Sequence, residues 1–160
     1  DGAKKLVSLM GKELQEDRDL STFAASILSK MDPKKAPIDE VMELLKSQNA
    51  FIRNLAISIL QDYGKEIKYY IVKYLIGDDR DLRIFAINVL GDVRFPESRD
   101  MLLELLEEER DVNVAMTAVD YISEIGQLED IGLLERLKGR FKDEPYVAFS
   151  VDRAIKAIKG

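Results

Sequence analysis

The sequence predicts an all-α fold, a right-handed α-solenoid (superhelix) of about five helical hairpins and about ten helices. Three observations predict it. One apolar motif recurs at a near-constant period. The apolar residues in and between its copies fall at helical spacing. Glycines and prolines stand where such hairpins begin and end.

The copies are FAASILSKM (Phe23 to Met31), LAISILQDY (Leu55 to Tyr63), FAINVLGDV (Phe85 to Val93) and TAVDYISEI (Thr117 to Ile125). Aligning Ala24, Ala56, Ala86 and Ala118 gives spacings of 32, 30 and 32 residues. Leu28, Leu60, Leu90 and Ile122 then fall into step, as do Met31, Tyr63, Val93 and Ile125. A weaker fifth copy, VAFSVDRAIKAI, covers Val147 to Ile158. A fixed period of this length marks a stacked repeat, in which neighbours bury each other's apolar stripe.

Each copy reads as the first helix of a hairpin, for example Ile52, Leu55, Ala56, Ile59, Leu60 and Tyr63. Second helices follow, as in Ile67, Tyr70, Ile71, Tyr74 and Leu75. The expected helices span about 3–15, 19–31, 38–47, 50–63, 65–76, 81–92, 96–108, 112–125, 128–141 and 146–158. Gly64 and Gly126 occupy equivalent places and suit a left-handed position after the first helix; Gly77 is expected to end a second helix in the same way. Pro96 and Pro145 suit a first helical turn. Residues 1–160 are expected to form a single repeat domain, with a soft joint at 31–37, MDPKKAP. The array is expected to stop after a first helix at Pro145 to Lys159, whose far side is either a polar cap or the seat of further chain. Asp1 in place of Met suggests a processed chain or a piece of a longer one.

Composition narrows the chemistry. Cysteine and histidine are both absent, which removes disulfides, thiol nucleophiles, the commonest metal ligand and the commonest base near pH 7. The net charge of −6 argues against general affinity for phosphate backbones. No apolar run spans a membrane and no signal peptide is visible, so cytoplasmic residence is the default expectation.

The run NAFIRNLAISILQDYG (Asn49 to Gly64) resembles the opening helix of a HEAT repeat, of the short kind first noted in phycobilisome lyases. DRDLRIFAINVLGDV (Asp79 to Val93) is closer still, with its acidic turn, Leu82-Arg83, Ala86 and Leu90-Gly91. FPESRDMLLELLEEERD resembles the second helix and next acidic turn. The likeness covers roughly residues 17–160. The pattern's arginine is present as Arg53 and Arg83 and replaced by Ser21, Ala115 and Ala148. The resemblance implies a solenoid used as a protein-binding scaffold, and does not imply lyase activity.

Three chemistries compete. HEAT-like oxygenases hold iron with His-Glu pairs, which have no match here; a carboxylate site at Asp62, Asp92 and Glu124 competes with solvated acids near helix ends. HEAT-like DNA glycosylases use basic surfaces with aromatics, as Lys65, Lys68 and Lys73 with Tyr69, Tyr70 and Tyr74 would allow. Tyr70 and Tyr74, however, share the face of Ile67 and Ile71, which points to packing. Residues 97–111 also carry seven acids against Arg99 and Arg110, which repels a phosphate backbone. A protein partner fits best. Aligned second helices place Asp39, Glu43, Tyr69, Lys73, Asp100, Glu104 and Glu135 in one row on the inner surface. The candidate partner-binding residues are Glu43, Lys68, Tyr69, Lys73, Asp100, Glu104 and Glu135, suited to a basic or mixed-charge segment. Residues 135–160 reverse the polarity, with seven bases against four acids.

The expected function is therefore a non-enzymatic protein-binding scaffold or adaptor, with no catalytic residue, metal or cofactor and with nucleic acid disfavoured. The alternatives are a HEAT-like enzyme or nucleic-acid-binding protein, bilin-lyase-like or DNA-glycosylase-like, or a structural module of a larger signalling protein. Neither the partner nor the oligomeric state is legible.

Overall fold

A computed structural model describes residues 2–160. Among these residues there are ten α-helices and no strand: α1 (Gly2–Gly11), α2 (Arg18–Ser29), α3 (Ile38–Glu43), α4 (Ala50–Tyr63), α5 (Lys65–Leu75), α6 (Arg80–Val93), α7 (Ser98–Glu108), α8 (Val112–Ile125), α9 (Ile131–Arg140) and α10 (Pro145–Lys159). A 3₁₀ turn, Leu44–Lys46, extends α3, and another, Leu128–Asp130, leads into α9. The chain divides into two compact units, Asp1–Val72 and Lys73–Gly160. In the first, α2 packs on α4, while α1 packs on α2 and α3. In the second, α6, α8 and α10 stack in series, with α7 against α6 and α8, and α9 against α10.

The first helices start where they do because each has a cap. Asp17, Asn49, Asp79 and Asp111 recur at the repeat period and accept backbone N–H bonds from the first turns of α2, α4, α6 and α8. The Asp111 carboxylate, for example, takes the N–H of Asn113 at 2.9 Å and of Val114 at 3.2 Å. Each cap satisfies donors that no helical carbonyl can reach. Glu144 makes no such bond, and Pro145 opens α10 instead, where it lacks the N–H that would need a partner.

The repeated positions form the core. Ala24, Ala56, Ala86 and Ala118 are buried, as are Leu28, Leu60, Leu90 and Ile122. Tyr63 occupies the next aligned place, and its buried hydroxyl donates to the Leu28 carbonyl at 2.8 Å, tying α4 to α2.

Several boundaries depart from expectation. α1 ends at Gly11, four residues early, because glycine is a poor helix former and the chain must turn to bring Asp17 to the head of α2. α7 begins at Ser98, so Pro96 lies in the turn before it. Of the equivalent glycines, only Gly64 has a positive φ, +53°. Arg94 holds the corresponding place after α6 in the left-handed region, and Gly126 is extended at φ −71°. Gly126 answers to space instead: a Cβ there would lie 2.6 Å from the Ile122 carbonyl oxygen and 2.9 Å from Ile158. Gly77 has no positive φ either; its carbonyl accepts from Arg83 at 2.9 Å. The far side of α10 is not uniformly polar, since Tyr146 and Phe149 are exposed on it.

Candidate interaction surface

The second helices are α3, α5, α7 and α9. On α5, Ile67 and Ile71 are buried, with Tyr70 and Tyr74 half-buried beside them. The Tyr70 hydroxyl donates to Asp39 of α3. That spacing forces Tyr69 to the opposite face, where it is 71% exposed, with Val72 and Lys73 also exposed. Lys68 is half-buried, and the Lys73 ammonium lies 5.2 Å from the centre of the Tyr74 ring. In the same unit as Tyr69, Glu43 ends α3 and pairs with Lys46 at 3.2 Å.

In the second unit, α7 and α9 are bound together by arginines. Arg99 of α7 reaches Asp130 with two bonds, at 2.7 and 2.8 Å, and Glu129 at 2.8 Å. Asp130 is buried, and its carboxylate also takes the N–H of Gln127 at 2.7 Å. Burial alone would raise this carboxyl; Arg99 and the backbone donor outweigh it and hold it below the usual range. Arg99 is held above its own ordinary value, chiefly by the bond to Asp130. Arg140 of α9 donates to the carbonyls of Leu106, Glu107 and Glu109, at 2.6, 2.8 and 3.0 Å. A cation thus closes the negative end of α7. Arg83 of α6 holds buried Glu109 through two bonds, at 3.0 and 3.1 Å.

With its buried edge occupied in this way, α7 shows acids to solvent. Asp100, Glu104, Glu107 and Glu108 are all exposed. Asp100 lies 3.7 Å from Arg99, Glu107 3.5 Å from Arg136, and Glu135 of α9 pairs with Lys138 at 3.3 Å. Of the predicted partner-binding residues, the second unit therefore holds Lys73, Asp100, Glu104 and Glu135, and the first unit holds Glu43, Lys68 and Tyr69. A cavity of about 270 Å³ opens before α7, lined by Arg94, Phe95, Ser98, Arg99, Asp100 and Gln127 among others. Both arginines there already face acids, Arg94 being paired with Glu124.

The three aligned carboxylates have separate surroundings. Asp62 is exposed, Asp92 accepts from the Tyr121 hydroxyl at 2.8 Å, and Glu124 takes Arg94. Among the described residues, no group of three or more acids is placed to hold a metal ion.

The cap row has a signal in the sequence, an Asp or Asn at the same period as the core alanines. The Arg99–Asp130 pair and the Arg140 clamp have no comparable signal, since each joins residues about one repeat apart through side-chain geometry. No helix among the described residues is long and apolar enough to cross a membrane.

A repeated hairpin of this length, an alanine-leucine core and an aspartate-headed first helix define an α-solenoid protein of the kind built as an interaction frame. The family model described as HEAT repeats matches residues 69–148, half of the chain, and the chain belongs to the HEAT-repeat family. No curated protein matches it.

Proposed function

We propose that the protein is a non-enzymatic scaffold or adaptor that binds a protein partner through the exposed faces of its second helices. The observation that carries this reading is the split nature of those helices. Their inner edges are locked by Arg99, Arg140 and the Tyr70 hydroxyl, and their outer faces present an exposed tyrosine on α5 and a run of acids on α7. An exposed aromatic has contact area to give at small entropic cost, and rim charges select the partner. The acids of Asp100, Glu104 and Glu108 suit a basic or mixed-charge segment and disfavour a phosphate backbone.

Affinity capture with the wild-type chain and two variants tests this. Glu104→Lys with Glu108→Lys should release a partner that the wild type retains, with the melting temperature unchanged. Tyr69→Ala with Lys73→Glu should weaken capture as well. If every captured protein stays bound to both variants, the second helices are not the docking surface.

A further inference from the structure

In two stacked pairs of first helices, α4 on α2 and α8 on α6, the residues at one pair of equivalent repeat positions are buried or packed on the neighbour. In α4 these are Ile52 and Ile59, both fully buried under α2. In α8 they are Val114, fully buried, and Tyr121, whose ring lies against Gly91 of α6 and whose hydroxyl bonds Asn88 and Asp92. The same register in α2 gives Leu20 and Ile27, with Phe23 between them. Here they are 50%, 43% and 64% exposed, and no first helix precedes α2 among the described residues. Contiguous exposure of three large apolar side chains on one helical stripe marks an interaction surface rather than a random surface residue.

The charges flanking this stripe identify its occupant. Before it, residues 13–19 carry Glu13, Glu16, Asp17 and Asp19 against Arg18, all exposed, and Arg18 is turned onto the Phe51 ring at 4.8 Å. After it, residues 30–35 carry Lys30, Lys34 and Lys35 against Asp32. The surface thus has acids in the turn before α2, the apolar stripe on the helix itself, and lysines in the segment after it. It is complementary to itself when turned end for end. We infer that a second copy of this chain covers it, α2 against α2 in antiparallel sense about a two-fold axis near Phe23. Leu20 then meets Ile27 of the other copy, and Glu16 faces its Lys30. An isologous pairing of this kind is the commonest closed assembly. Parallel stacking of α2 on the exposed side of α10 is disfavoured, because it sets the acids before α2 near Asp143 and Glu144, and Lys30 near Arg153 and Lys156.

Sedimentation equilibrium of the whole chain from about 5 to 500 µM tests the inference, since one helix stripe lies at the small end of interface sizes and gives a weak dimer. The expected result is a monomer–dimer equilibrium with a dissociation constant on the order of tens of micromolar. Phe23→Glu should weaken it at least tenfold and leave the thermal melt unchanged, because the side chain is exposed. Glu16→Lys and Lys30→Glu should each weaken it several-fold, and the two together should restore it to within about threefold of wild type. A chain monomeric throughout the range would overturn the inference, as would a dimer indifferent to Phe23→Glu. Failure of the double charge reversal to recover association would overturn the antiparallel arrangement even if Phe23→Glu disrupts folding.

Discussion

At the scale of single residues, Gly91 carries more than its size suggests. A Cβ at this position would sit 2.1 Å from Cδ1 of Tyr121, so the ring of α8 rests on the bare backbone of α6. Burial, then the bond to Asp92, pushes the Tyr121 hydroxyl above its ordinary pKa, which keeps it a donor at every pH of interest. Gly91→Ala should cost about 1–3 kcal/mol of unfolding free energy through overpacking. With Tyr121→Ala already present, the same change should stabilise by up to about 1 kcal/mol, because alanine is the better helix former. Urea unfolding of the four members of that cycle checks the reversal of sign. Tyr63 shows the same principle in the first unit. Its hydroxyl is pushed up to about 12, by burial first and then by Asp62, and it donates to the Leu28 carbonyl. Tyr63→Phe should therefore cost about 0.5–1.5 kcal/mol, because the Leu28 carbonyl loses the hydroxyl but still accepts the N–H of Met31 at 3.2 Å.

The Arg99–Asp130 pair predicts a pH signature. The folded carboxyl lies below its unfolded value of about 3.9, so its contribution is complete above that pH and is lost as pH falls through the folded value. Arg99→Met leaves Asp130 buried without its counter-charge and should cost on the order of 3 kcal/mol near neutrality. The gap in melting temperature between wild type and Arg99→Met should be largest at neutral pH and above and narrow as pH falls, first as the unpaired Asp130 carboxyl of the variant, raised by burial, takes up a proton, and then as the wild-type pair titrates. A gap that widens under acid would contradict the assignment.

Helices and their ends are the next scale. The caps Asp17, Asn49, Asp79 and Asp111 make α2, α4, α6 and α8 start in register, while Glu144 sits at the same place before α10 without bonding. Asp79→Ala should cost about 1 kcal/mol, and Glu144→Ala less than about half that, as read by chemical denaturation. Helix number and order were legible because apolar periodicity is a property of one segment at a time. The Ala24 and Leu28 rows were legible for the same reason. Ends were less so. Gly64 and Gly126 look identical in sequence, yet one needs a positive φ and the other needs room for Ile158, a demand set by α10 rather than by its own helix. Arg94 takes a left-handed turn that sequence assigns to glycine. Within the candidate surface, Tyr69 could be placed opposite Ile67 and Ile71 by spacing alone. That Arg99 would be drawn to Asp130, leaving Asp100 and Glu104 to solvent, depends on a neighbouring hairpin and could not.

For the molecule as a whole, the consequence of a repeat is that stability is local. Each hairpin leans on its neighbours, so unfolding free energy is a sum of short-range terms rather than the property of one shared centre. Leu28 is fully buried between α2 and its partners in the first unit, and Ile122 plays the same part in the second. Leu28→Ala should remove about 2–5 kcal/mol from the packing around it. In a single-core protein that loss would lower the protection of every slow amide. In a nearest-neighbour array it should accelerate hydrogen exchange in α2 and α4 and leave α8 and α10 close to wild type. Ile122→Ala should give the mirror result, opening α6, α8 and α10 while sparing α2. Exchange measured by mass spectrometry on peptides from both units separates the two cases. A uniform loss of protection in both variants would mean that the chain unfolds as one cooperative block, despite being written in repeats.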